Sequence, residues 1–97
     1  MSEVTACFGA NLKTLRSAAG LSQEELADRA AVHRTQISKF ERAETSPSLE
    51  TFLRLAGALS ADPNGLLKGT RWVPVTFDRG AFIRGSFVRD CEERVDG

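Results

Sequence analysis

Residues 22 to 42 constrain this chain more than any other stretch. Ser22 followed three places later by Glu25 is a capping box, which marks a helix start. Leu26, Ala27 and Ala30 then share one face at helical spacing. Ala27 is small, so a second helix can cross it closely. Val32, Ile37 and Phe40 continue the apolar trail. The stretch therefore reads as two helices joined by a tight turn, the second at about 34–42.

The second helix has two unlike sides. Its buried side is narrow: Ile37, Phe40 and the flank at Glu41. The other side carries Arg34, Thr35, Ser38, Lys39 and Arg42, neighbours along a helix surface. That side holds donors, a hydroxyl pair and no carboxylate, so it can lie against a polyanion. Arg34 and Lys39 can donate to guanine edges and Thr35 and Ser38 to several base edges, while Arg42 suits phosphate.

Three separated segments occur in order: Leu-Ser-Gln-Glu-Glu-Leu-Ala at 21–27, Ile-x-x-Phe-Glu at 37–41, and Ser-Pro-Ser-Leu-Glu-Thr-Phe-Leu-Arg-Leu-Ala at 46–56. With them the chain resembles the phage-repressor-like helix-turn-helix family (the Cro/CI or XRE type) over residues 10–67. The resemblance implies a mainly α fold, a five-helix repressor-like DNA-binding domain. It also implies a sequence-specific, double-stranded DNA-binding transcriptional regulator that reads the major groove with the helix at about 34–42, as a dimer on a palindromic operator. Base contacts are expected from Arg34, Thr35, Ser38 and Lys39, and phosphate contacts from Ser22, Gln23, Gln36, Arg42 and Ser46. In the family the residue matching Gln23 also braces the first residue of the reading helix, here Arg34. An arginine matching Arg16 pairs with an acid matching Glu41, and burying Glu41 alone would be expensive. Two features depart from the pattern. Ala31 and Ala43 stand where glycine is common, at a cost of roughly 1 kcal/mol each if φ is positive. The loop at 43–47 carries Glu44 where well-known members have basic residues.

With 97 residues the chain can build one modest core. Its 13 basic and 13 acidic residues cancel, which argues against a strong sequence-blind grip on nucleic acid. Charge is nonetheless sorted by position, with Glu24, Glu25 and Asp28 crowding the helix before the reading helix. No apolar run could span a bilayer and no export signal stands at the start, so no membrane contact and a cytoplasmic location are expected. Cys7 and Cys91 fit no metal-ligand spacing and read as ordinary thiols. His33, the one histidine, has no nucleophile or ligand cluster beside it and reads as a capping or phosphate-facing residue. No enzyme activity, catalytic residue, metal or cofactor is expected.

The remaining chain surrounds this unit. Residues 1–4 read as frayed, before a helix from Thr5 to Ala19 with the stripe Phe8, Leu12, Leu15 and Ala19. Gly20 ends it in the left-handed conformation. Ser48 caps a fourth helix, whose Leu49, Phe52, Leu53, Leu55, Ala56 and Leu59 read as a wall behind the helix-turn-helix. Asp62 and Pro63 start a short fifth helix ending near Leu67. The domain therefore spans 1–68. Residues 69–90 read as a β-hairpin: a strand through Trp72–Phe77, a turn at Asp78-Arg79-Gly80, and a return from Ala81, with Gly85 and Ser86 breaking the pattern. Residues 91–97 read as a flexible tail. Such a hairpin must pack on something. It either closes over its own helices or, the preferred reading, joins a homodimer through Trp72, Val75, Phe77 and Phe82. The alternative function is an antitoxin-like protein-interaction module with a DNA-binding head.

Overall fold

A computed structural model describes the backbone of residues 3–77 and 83–89, and the side chains of residues 3–73 and of Phe87. Five helices come first: α1 (Glu3–Ala18), α2 (Gln23–Ala30), α3 (Arg34–Glu41), α4 (Leu49–Ala58) and α5 (Pro63–Leu66). Strands β1 (Thr70–Phe77) and β2 (Ile83–Arg89) follow as an antiparallel pair. No helix among the described residues is long and apolar enough to cross a membrane.

The helices stop by one repeated device. Gly20, Ala31, Ala43 and Ser60 all have positive φ. After each, the next residue's N–H bonds back five positions: Leu21 to Arg16, Val32 to Ala27, Glu44 to Lys39 and Ala61 to Ala56. This is the Schellman ending, which satisfies carbonyls the helix leaves open. Only one of the four is glycine, so three L side chains carry a left-handed strain that tertiary packing offsets.

The core is shared by all five helices. Phe8 and Leu12 of α1, Leu26 of α2, Ile37 and Phe40 of α3, Leu55 of α4 and Leu66 of α5 are buried together. Phe8 meets Phe40 edge-on, with ring centroids 5.8 Å apart. Gly9 lies where α1 crosses the end of α3. A Cβ there would collide with the Phe40 carbonyl oxygen and stand 3.3 Å from that of Glu41. Buried Asn11 donates from Nδ2 to the carbonyls of Leu66 and Lys68, both at 3.0 Å, so α1 also holds the start of the hairpin.

Several expectations need correction. Helix α1 begins at Glu3, within the stretch expected to fray, and Ala19 lies past its end and is exposed. Cys7 is buried and disulfide-bonded, not a thiol; Cys91 lies outside the described residues. In α4 only Leu55 and Ala56 are buried, whereas Leu49 and Leu53 are 75% and 53% exposed. Apolar residues occupy too much of that helix's circumference for one core-facing side to cover. Strand β2 runs through Gly85 and Ser86 without a break. Gly85 pairs with Pro74, and the ladder then slips by one residue between Pro74 and Thr76. A bulge beside a residue that cannot donate to the ladder is a common solution. The turn at 78–80, Ala81, Phe82 and the tail from 91 lie outside the described residues.

Candidate nucleic-acid interface

Helix α3 is positioned from behind by one carboxylate. Arg16 donates from Nε to Glu41 Oε2 at 2.6 Å and from Nη2 to Oε1 at 3.0 Å, with side chains only 14% and 5% exposed. Its third fork, Nη1, donates to the Leu21 carbonyl at 2.8 Å. Gln23 Nε2 donates to the same Glu41 Oε1 at 3.0 Å. Glu41 therefore accepts three donors and ties α1 and the start of α2 to the last residue of α3. A nearly buried carboxylate is tolerable only with this satisfaction. The Arg16 guanidinium is raised above its ordinary value, chiefly by its hydrogen bond to Glu41. The brace from Gln23 thus falls on Glu41, at the opposite end of α3 from Arg34.

The two helix starts are both capped. Ser22 Oγ accepts from Glu25 N–H at 3.0 Å, and Ser22 N–H donates to Glu25 Oε1 at 2.8 Å. The Glu25 carboxyl lies below its usual range, first because the Ser22 backbone N–H bonds its charged form. At α3 the N-cap is His33, whose Nδ1 accepts from the Thr35 N–H at 3.1 Å and lies 2.7 Å from Thr35 Oγ1. Capping by His33 places Thr35 in the first turn.

With Ile37 and Phe40 inward, the outer side of α3 faces solvent. Arg34, Thr35, Gln36, Lys39 and Arg42 are exposed and Ser38 is half-exposed. Ser22 and Ser46 are exposed and Gln23 is half-buried. The structure brings Arg34, Thr35, Ser38 and Lys39 onto one side, flanked by Arg42 where α3 ends. One acid joins them. Glu44 accepts from Arg42 Nε at 2.7 Å and Nη2 at 3.3 Å, while Arg42 Nη1 donates to Ser38 Oγ. The carboxylate-free side of the helix therefore has a carboxylate beside it, contributed by the loop. Its cause is the turn at Ala43, which no periodicity in the sequence signals.

A second surface is apolar. A cleft of about 310 Å³ lies among Val4, Thr5, Phe8, Ser46, Pro47, Leu49, Phe52 and Leu67. Farther along the chain, Trp72 and Phe87 pair across the hairpin edge-to-face at 5.0 Å, yet remain 49% and 46% exposed. Phe87 is a contact the sequence reading did not single out. Both strands touch α1, but this aromatic pair stays half-uncovered. The side chains of Val75, Phe77 and Phe82 lie outside the described residues. Among the described residues no group of three His, Cys, Asp or Glu side chains is placed to hold a metal ion.

Known proteins resemble this chain in sequence and fold. A family model described as a helix-turn-helix domain matches residues 8–67. The chain is 36% identical over 63 residues to the SPbeta prophage-derived uncharacterized HTH-type transcriptional regulator YonR of Bacillus subtilis, covering 65% of this chain and 58% of that relative. It is 38% identical over 64 residues to the control protein C.BamHI of Bacillus amyloliquefaciens, covering 65% of this chain and 79% of that one. Among solved structures, the restriction-modification controller protein C.AhdI from Aeromonas hydrophila superposes with a TM-score of 0.62 at 40% identity, over 64% of this chain and 94% of that one. The P22 c2 repressor in complex with a synthetic operator gives 0.60 at 35% identity, over 64% and 94%. A matched helix-turn-helix over most of the chain, with α3 clamped from behind and polar outward, makes this protein a member of the phage-repressor-like (Cro/CI or XRE-type) helix-turn-helix family of DNA-binding transcriptional regulators.

Proposed function

We propose that α3 enters the major groove of an operator, with Arg34, Thr35, Ser38 and Lys39 at base edges and Ser22, Gln23, Gln36, Arg42 and Ser46 at phosphates. The observation that carries this reading is the division of α3: Ile37 and Phe40 are buried, while Arg34, Thr35 and Lys39 stand in solvent. A helix held from behind and polar in front can be seated in a groove without unfolding anything. The solved operator complex of the P22 c2 repressor, similar over 64% of this chain, supports the same use.

The protein acts as a homodimer on a palindromic site, with residues 69–90 as the contact, through Trp72 together with Val75, Phe77 and Phe82. The half-exposed Trp72–Phe87 pair supports this, because a partner would cover apolar surface that the described helices leave open. The same surface would serve an antitoxin-like contact with another protein. Residues 1–68 are the reading head in either case.

Selection of bound sequences from a random duplex pool tests the function. A two-fold symmetric motif with half-sites about one helical turn apart is expected. Failure to enrich any motif contradicts it. Trp72→Arg should convert the dimer to monomer in sedimentation while leaving the fold intact; an unchanged dimer removes the hairpin from the interface.

A further inference from the structure

Arg34, Thr35, Ser38, Lys39 and Arg42, on and beside α3, are the side chains proposed for base and phosphate contacts, but Arg42 is already occupied. The Arg42 guanidinium spends Nε and Nη2 on Glu44 and Nη1 on Ser38. The geometry is fixed by the backbone. Ala43 is left-handed with φ of 61°, and the Glu44 N–H bonds the Lys39 carbonyl at 2.9 Å. That turn delivers the Glu44 side chain back over the end of α3. The pair is 55% and 50% exposed, so nothing in the core requires it.

We infer that Glu44 is an internal stand-in for phosphate: its carboxylate holds the seat on Arg42 that a DNA backbone oxygen takes in the complex. This rests on the proposal that α3 enters the groove with Arg42 at the backbone. A carboxylate and a phosphate present similar paired oxygens to a guanidinium fork. The Glu44 carboxyl lies below its usual range, first through the Arg42 hydrogen bond, with a smaller pull from Lys39. It therefore stays ionised at neutral pH and competes there. Binding of DNA must exchange one anion for another at Arg42, and the same step frees Ser38 from Arg42 Nη1. In a chain of zero net charge, masking one of the few cations on this side lowers the grip on any duplex, because that grip scales with the phosphates neutralised.

The test uses the full chain as wild type, Glu44→Gln, Arg42→Gln and the double variant. Each is titrated, across a range of salt, with the duplex selected by the wild type and with a scrambled duplex. Glu44→Gln should bind the scrambled and selected duplexes more tightly, by roughly eightfold at about 0.1 M salt. The plot of log affinity against log salt should steepen by about 0.9, the effect of one more released counterion. In the Arg42→Gln background the same replacement should give little of that gain. An unchanged affinity and salt slope in Glu44→Gln overturns the inference. So does a gain that persists in full without Arg42, since Glu44 would then act through bulk charge alone. If the wild type and Glu44→Gln bind no duplex at all, the DNA reading itself fails. Normal binding with an unmoved slope removes only the role of Glu44.

Discussion

Two arginine–glutamate pairs sit within a few residues of each other at the end of α3, and they do different things. Arg16–Glu41 is closed at 2.6 Å and almost buried; Arg42–Glu44 is closed at 2.7 Å and half in water. Distance does not separate them. Surroundings do. Behind the helix, Glu41 has no water to return to, so it keeps its three donors. In front, solvent can replace either partner of Arg42–Glu44, so the pair is exchangeable and contributes little to folding. The back pair fixes where the helix points; the front pair governs what it holds.

The largest effect should come from breaking the back pair. Glu41→Gln leaves Arg16 with a weakened partner and should destabilise the fold by about 3–5 kcal/mol in denaturant unfolding. Glu44→Gln should leave the unfolding midpoint where it is. Equal losses in the two variants would erase the distinction. A smaller effect follows from the crossing that brings the back pair together. Gly9→Ala puts a Cβ against the Phe40 and Glu41 carbonyls and should cost roughly 1–3 kcal/mol, as overpacking does.

How much of this could be read from residues alone differs sharply between the two sides. The capping box of Ser22 and Glu25 was legible because both partners lie within one turn. The Arg16–Glu41 pair came from the family resemblance, not from spacing. Gly9 and Asn11 were missed, because nothing local to α1 reveals that α3 and the end of α5 pass there. Leu49 and Leu53 were misplaced, since a helix apolar on several sides does not say which side the core takes. Glu44 was noticed as an acid in a loop, but its contact with Arg42 depends on the left-handed turn at Ala43. Local chemistry was readable, then, and long-range crossings and loop geometry were not.

Smaller effects sharpen the same contrast. Ala31→Gly relieves a left-handed alanine with φ of 60° and should stabilise by about 0.5–1 kcal/mol, read as a raised Tm. The smallest is a pH effect. Glu25 and Glu44 both have folded-state values below the ordinary 4.5. A depressed acid contributes stability above its unfolded value and loses it as pH falls through its folded one. Glu25→Gln should therefore lower Tm slightly at neutral pH and flatten its fall below about pH 4.5, converging on the wild type in acid. A drop in Tm as steep as that of the wild type would contradict the charged caps.

The central claim is that α3 reads duplex with its outward side. Its most direct measurement is the affinity of Arg34→Ala and Lys39→Ala for the selected duplex, at one salt concentration, beside their unfolding curves. The account predicts losses of about 1–3 kcal/mol in binding for each, with relaxed preference at the contacted bases and unchanged stability. Binding as tight and as selective as that of the wild type in both variants would contradict it.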